Sequence, residues 1–147
     1  MTLAVVWLHV VGVVVWVGGL FYQSHVLIPA ARRSGDVRAF IEVARRGRVV
    51  TWAAACLVVL TGLYNVTQLG GVTRVAESGA GTALAAKFLL VLAMISLGAH
   101  RDFAQLPRLA ASPDTALLRK IAMLDHAVLL LAVVVIYLGL TVSRVGH

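Results

Sequence analysis

The chain has 147 residues, of which 61% are hydrophobic. An ordinary soluble domain is only about 45 to 50% apolar, so a water-soluble globule is excluded, and too few residues lie outside the apolar runs to build a separate soluble catalytic domain. Lys and Arg outnumber Asp and Glu by 13 to 6, but they cluster beside apolar runs, where basic residues report membrane orientation rather than a nucleic-acid partner.

The first run, Met1 to Ala31, holds no Asp, Glu, Lys or Arg. It predicts a span over 3–28 ending near Pro29, and it is longer than a signal-peptide core of about 7 to 15 residues and lacks a basic leader, so it reads as a retained span. Ser34-Gly35-Asp36 is a helix-start signal. Val37, Phe40, Ile41 and Ala44 follow at helical spacing with arginines opposite, predicting a short interfacial helix between spans one and two. Span two covers 49–69 and is punctuated by Gly70-Gly71. Asn65-Val66-Thr67 has the form of a glycosylation acceptor but lies within this helix and is discounted.

Span three covers 82–103, and Lys87 is its single charge between Ser78 and His100. Ser112-Pro113-Asp114 then sets out a cap, a first-turn proline and an acid for the fourth helix, whose span covers 117–142. Each run supplies the ~20 residues that cross a bilayer core of roughly 30 Å. The expected fold is all-α, a single four-span membrane domain over 1–147, with the lipid bilayer as its surroundings. Arg32, Arg33, Arg38, Arg45, Arg46 and Arg48 separate spans one and two, and Arg101, Arg108, Arg119 and Lys120 separate spans three and four. The positive-inside rule therefore puts these segments in the cytoplasm and both termini outside. Cys56, the lone cysteine, cannot form an intramolecular disulfide and is expected to pack as a small apolar residue.

Ionisable groups in hydrocarbon are costly and mark function. At a helical rise of about 1.5 Å per residue, His9, Lys87, Tyr64, Asn65 and Tyr137 fall roughly 6 to 9 Å from the outer boundary. They form a candidate outer polar cluster. His100 and His126 match in depth, about 24 to 27 Å from that boundary, with His25 lower still; these form a candidate inner histidine cluster. Helical rotation puts His9, Gly12, Trp16, Gly19 and Gln23 on one stripe of span one and Gly18, Tyr22 and His25 on another. Met123, His126 and Tyr137 share a face of the fourth helix.

Imidazole suits copper, iron and zinc. Two histidines at matching depth on different helices can ligate a haem b from opposite sides, with Arg101, Arg119 and Lys120 as partners for its propionates. Two or three imidazoles, with Met123 as a soft ligand, would instead suit Cu(I); Met94 and Cys56 show no convergence with them in the sequence.

Leu8-His9, Trp16-Val17-Gly18-Gly19-Leu20, Leu60-Thr61-Gly62-Leu63-Tyr64-Asn65, Lys87-Phe88-Leu89-Leu90 and Leu106-Pro107-Arg108-Leu109 occur in an order that resembles the membrane domain of the copper-resistance D (CopD) family. That resemblance covers nearly the whole chain and implies copper transport or tolerance in a bacterial-type plasma membrane, the cell inner membrane. Members of that family are often longer, with eight spans; this chain looks like the four-span core. His9, Gly19-Leu20-Phe21-Tyr22 and Lys87 also resemble the HemJ-type protoporphyrinogen oxidases, four-span haem proteins with a first-span histidine and a third-span lysine. The His100 to Leu109 stretch and Asp125-His126 depart from that second pattern.

Three functions follow. The leading one is copper handling, with His100, His126 and His25 as inner ligands and His9 with Lys87 as an outer access site. The second is a haem b protein in electron transfer or porphyrin oxidation, which would bring a redox partner or a porphyrin. The third is a cofactor-free assembly subunit. Catalysis is left open, as is assembly into a homo-oligomer.

Overall fold

A computed structural model describes residues 2–68 and 70–145 of the chain; Leu69, the expected end of span two, lies outside them. Four long helices carry the fold: α1 (Leu3–Ser34), α2 (Val37–Gln68), α4 (Ala80–Ala111) and α5 (Thr115–Val145). A short α3 (Gly71–Glu77) links the two halves. All four long helices are apolar and long enough to cross a membrane, and they run antiparallel in chain order. This is an integral membrane protein.

The predicted interfacial helix is helical but not separate. Residues 37–48 are the first turns of α2, which continues unbroken through the expected start of span two. Nothing between Val37 and Val49 breaks a helix, and the Val37, Phe40 and Ile41 side chains bury against α1 and α5 rather than lying on a membrane surface. Asp36 starts α2 by accepting a hydrogen bond from the Ala39 amide at 3.0 Å, and Gly35 makes the preceding turn in the left-handed conformation (φ 72°) that glycine adopts without penalty. Before α5 the capping acid is Asp114, which accepts from the Ala116 amide at 3.0 Å, so Pro113 precedes the cap instead of following it.

Both α1 and α4 widen into a π-helical turn, Gln23–Leu27 in one and Arg101–Gln105 in the other. A proline follows each turn, Pro29 and Pro107. Proline supplies no N–H and its ring crowds the carbonyl four residues earlier, which a wider turn relieves. The wide turns also re-aim the polar residues Gln23, Ser24, Arg101 and Asp102. These pairs belong to a pattern. His9 and Lys87, Trp16 and Met94, Gln23 and Arg101, and Pro29 and Pro107 each stand 78 residues apart. α1 packs mainly on α2 and α4 mainly on α5, so the bundle is two hairpins built on one plan.

The interior is layered along the bundle axis. At the basic end Ile28, Phe40, Leu109, Leu118 and Ile121 close an apolar base. Toward the middle Trp16, Leu20, Ala55, Val58, Met94, Val128 and Ala132 form a second apolar layer. Between the two lie the buried polar residues Ser24, Arg101, Asp102, Gln105 and Asp125. Beyond the second layer, at the end away from the basic residues, the helices line a partly open cavity of about 430 Å³.

Candidate functional site

The ionic layer ties all four long helices together. Arg101 on α4 donates from Nε to Asp102 Oδ1 at 2.7 Å and from Nη1 to Asp125 Oδ1 on α5 at 2.6 Å. Gln23 on α1 donates to Asp125 Oδ2 at 2.7 Å. The indole of Trp52 on α2 donates to Asp102 Oδ2 at 2.8 Å. Each of the four carboxyl oxygens therefore accepts one hydrogen bond, as buried polar atoms at 4% and 0% residue exposure require. One guanidinium faces two carboxyl groups, so the layer holds one more acid than base. Arg101, expected as a partner for propionates, is turned inward onto these acids, whereas Arg119 is exposed.

Sequence reasoning missed Asp102, Asp125, Gln23 and Trp52 as a unit. Asp102 and Asp125 fall inside the expected spans 82–103 and 117–142, but attention went to the uncharged runs that end at His100 and begin at His126. Gln23 was noticed only as part of the His9 stripe. A signal was present: two acids inside segments otherwise apolar enough to cross a bilayer.

Two of the three inner histidines meet. His25 from the π-turn of α1 and His126 from α5 have ring centroids 5.1 Å apart, edge to face. Phe21 stacks on the far side of His25 at 4.3 Å. Nδ1 of His126 lies 2.6 Å from the Ala122 carbonyl, and Nδ1 of His25 lies 3.1 Å from the Phe21 carbonyl. A carbonyl only accepts, so Nδ1 of His126 carries the hydrogen and its Nε2 presents a lone pair; Nδ1 of His25 also meets the Ser24 hydroxyl, at 2.8 Å. The pair lies on the flank of the bundle, with both rings exposed, rather than between all four helices. His100 does not join it; its Nε2 is engaged by the Gln105 amide at 2.9 Å. Among the described residues no group of three or more His, Cys, Asp or Glu side chains is arranged to hold a metal ion.

The outer cavity contains His9 and Lys87, with Val6, Val13, Phe88 and Val135 among its apolar walls. Thr61 donates its hydroxyl hydrogen to the Leu57 carbonyl at 2.6 Å, so it accepts from His9 Nδ1 at 2.8 Å and leaves His9 Nε2 with a free lone pair. Gly62 makes room for this ring: a Cβ there would stand 3.4 Å from His9 Cε1. Gly139 does the same for the ammonium, its absent Cβ lying 3.3 Å from Lys87 Nζ. The repeat thus places an imidazole and an amine at equivalent points of one cavity. Tyr64 and Tyr137 are exposed, and Asn65 keeps a buried Oδ1 without a partner.

A helical membrane protein with a charged central layer and histidines at two depths is the class these features define. Residues 41–142 match the family model described as Copper resistance protein D, and the chain belongs to the CopD family. The matched stretch contains Trp52, Lys87, Arg101, Asp102, Asp125 and His126, while His9, Gln23 and His25 precede it. No curated protein and no solved structure matches the chain.

Proposed function

We propose that this CopD family member handles copper within the membrane, binding it as Cu(I) between the Nε2 atoms of His25 and His126. The observation that carries this reading is the pair of adjacent imidazoles, that of His126 held through Nδ1 by the Ala122 carbonyl and that of His25 held through Nδ1 by the Ser24 hydroxyl and the Phe21 carbonyl. Metal-bound histidines are oriented in this manner, with one nitrogen committed to a hydrogen bond and the other presented to the ion. Two neutral ligands suit a soft monovalent ion better than a hard divalent one. The basic end faces the cytoplasm on this reading, and the outer cavity with His9 and Lys87 opens toward the other side.

Anaerobic titration of the purified protein with Cu(I) tests the assignment. His25→Ala and His126→Ala should each abolish the tightest binding, whereas His100→Ala should leave it intact. Equal binding in all three variants would overturn the ligand assignment.

A second reading has its own support. A mostly apolar cavity of about 430 Å³ falls within the roughly 300 to 1,000 Å³ of small-molecule and cofactor sites, and the free Nε2 of His9 is a competent axial ligand for haem b. Protein purified with haem would then show a Soret band lost on His9→Ala and retained on His100→Ala.

A further inference from the structure

We infer that the outer cavity binds a single-chain amphipathic acid from the bilayer, a long-chain carboxylate whose head pairs with Lys87 and whose tail lies along the apolar shaft below it. The assignment goes beyond the copper reading, which concerns the histidines on the flank of the bundle.

The cavity has a polar end and an apolar length. His9 and Lys87 mark its outer part, and Trp16 and Met94, at 6% and 3% exposure, close its inner end. Trp16 follows His9 by seven residues and Met94 follows Lys87 by seven, about 10 Å at the α-helical rise. Val13, Val17, Val58 and Val91 wall the length between. A volume of about 430 Å³ suits a drug-sized molecule, one chain rather than two. Val10 and Val14 on α1 and Ile136 on α5 lie on the rim and are exposed. They are apolar side chains on helices that cross the membrane, so the cavity is reached from the acyl phase as well as from the outer side.

Charge selects the head. Lys87 Nζ stands 3.3 Å from the place a Gly139 Cβ would take. Gly139 lies six residues before the end of α5 at Val145, about 9 Å down the helix. The ammonium is therefore drawn in beside α5 rather than extended to the outer surface. It has no ion pair among the described residues. The chain has six acids, and none lines the cavity. Asp36 and Asp114 cap helices, Glu42 pairs with Arg46, Asp102 and Asp125 share Arg101, and Glu77 is exposed on α3. A cation held in hydrocarbon calls for an anion, and here the ligand brings it.

His9, on the other hairpin, completes the match. Its Nδ1 is held by Thr61 at 2.8 Å, and its Nε2 presents a lone pair. An acid that enters from lipid in its protonated form meets a base there. Its O–H bond breaks, an N–H bond forms at Nε2, and the carboxylate is left to the Lys87 ammonium; no electron moves. An ester or an alcohol of the same chain length supplies no anion and is discriminated against.

The test uses the full chain in phosphatidylcholine nanodiscs with palmitic acid carrying a mid-chain photoreactive diazirine. Adducts are located by mass spectrometry as the probe concentration is raised. Labelling is expected on the cavity walls, at Val13 and Val91, competed by palmitate and not by its methyl ester. Lys87→Met should weaken the apparent affinity roughly 10- to 100-fold, the loss of one hydrogen bond to a charged group. Val13→Phe, which narrows the shaft, should weaken it too, and Arg119→Ala, which removes an exposed cation elsewhere, should not. An unchanged melting curve verifies each fold. Labelling that survives Lys87→Met, or that the methyl ester competes equally, would overturn the assignment in favour of a cleft that any acyl chain fills. Competition by phosphatidylglycerol and not by palmitate would overturn it in favour of a two-chain lipid. None of these results alters Cu(I) titration at His25 and His126, and loss of that binding with labelling intact would overturn the copper reading alone.

Discussion

Replacing Arg101 with methionine removes the cation from a layer that holds two carboxylates at 4% and 0% exposure. The side chains are similar in length, so the packing loss is small. What remains are two buried negative charges, each deprived of a hydrogen bond of 2.6 to 2.7 Å. Breaking a buried ion pair by deleting one partner costs about 3 to 5 kcal/mol. Asp125→Asn is gentler, because Arg101 keeps Asp102 and an amide oxygen can still accept from Nη1. The remaining mismatch, an amide nitrogen facing Gln23, costs roughly 1 to 3 kcal/mol. Arg101→Met should therefore be the more damaging by about 2 kcal/mol. SDS titration in mixed micelles, followed by far-ultraviolet circular dichroism, measures the difference. A triple variant, Arg101→Met with Asp102→Asn and Asp125→Asn, should recover much of the loss. If Arg101→Met matched the parent, or Asp125→Asn proved the costlier change, the reasoning from one cation shared by two buried acids would be refuted.

Other expectations follow from single contacts. Trp52→Phe strips the donor from Asp102 Oδ2 and should cost roughly 1 to 3 kcal/mol, visible as a lower midpoint in the same titration. At Gly12 a Cβ would meet Val58 Cγ2 at 2.8 Å, whereas at Gly18 it would meet nothing within 4 Å. Gly12→Ala should therefore destabilise by about 1 to 3 kcal/mol by prising α1 from α2, and Gly18→Ala should not; equal melting of the two would contradict the close approach. Cysteines introduced at Gly79 and Ser34 in a Cys56→Ser background test orientation. An impermeant reagent should label the first from outside intact cells and spare the second, and the reverse pattern would invert the topology.

The spans were legible because length and apolarity are local properties. Twenty uncharged residues declare themselves, and four helices long and apolar enough to cross a membrane are found. The start of α2 was less legible. Arg38, Arg45, Arg46 and Arg48 suggested a surface helix, but they ring a rod whose opposite face is buried by Val37, Phe40 and Ile41. Depth matching paired His100 with His126 and set His25 lower, whereas the ring that meets His126 is that of His25, because rise along a helix sets height and leaves azimuth free. The hairpin repeat went unseen for a different reason. Its equivalent positions exchange residue types, histidine for lysine, tryptophan for methionine and glutamine for arginine, so little beyond Pro29 and Pro107 reads as similar.

That exchange has a consequence for how such a molecule can exist. Were the halves identical, matching residues would confront their own kind across the central line. Two copies of Arg101 would repel within hydrocarbon, and two copies of Gln23 would leave Asp125 without its counter-ion. Divergence between the hairpins lets an anion find its cation and puts Trp16 and Met94 into one apolar layer. Neither half could be swapped for a duplicate of the other without putting like groups in opposition.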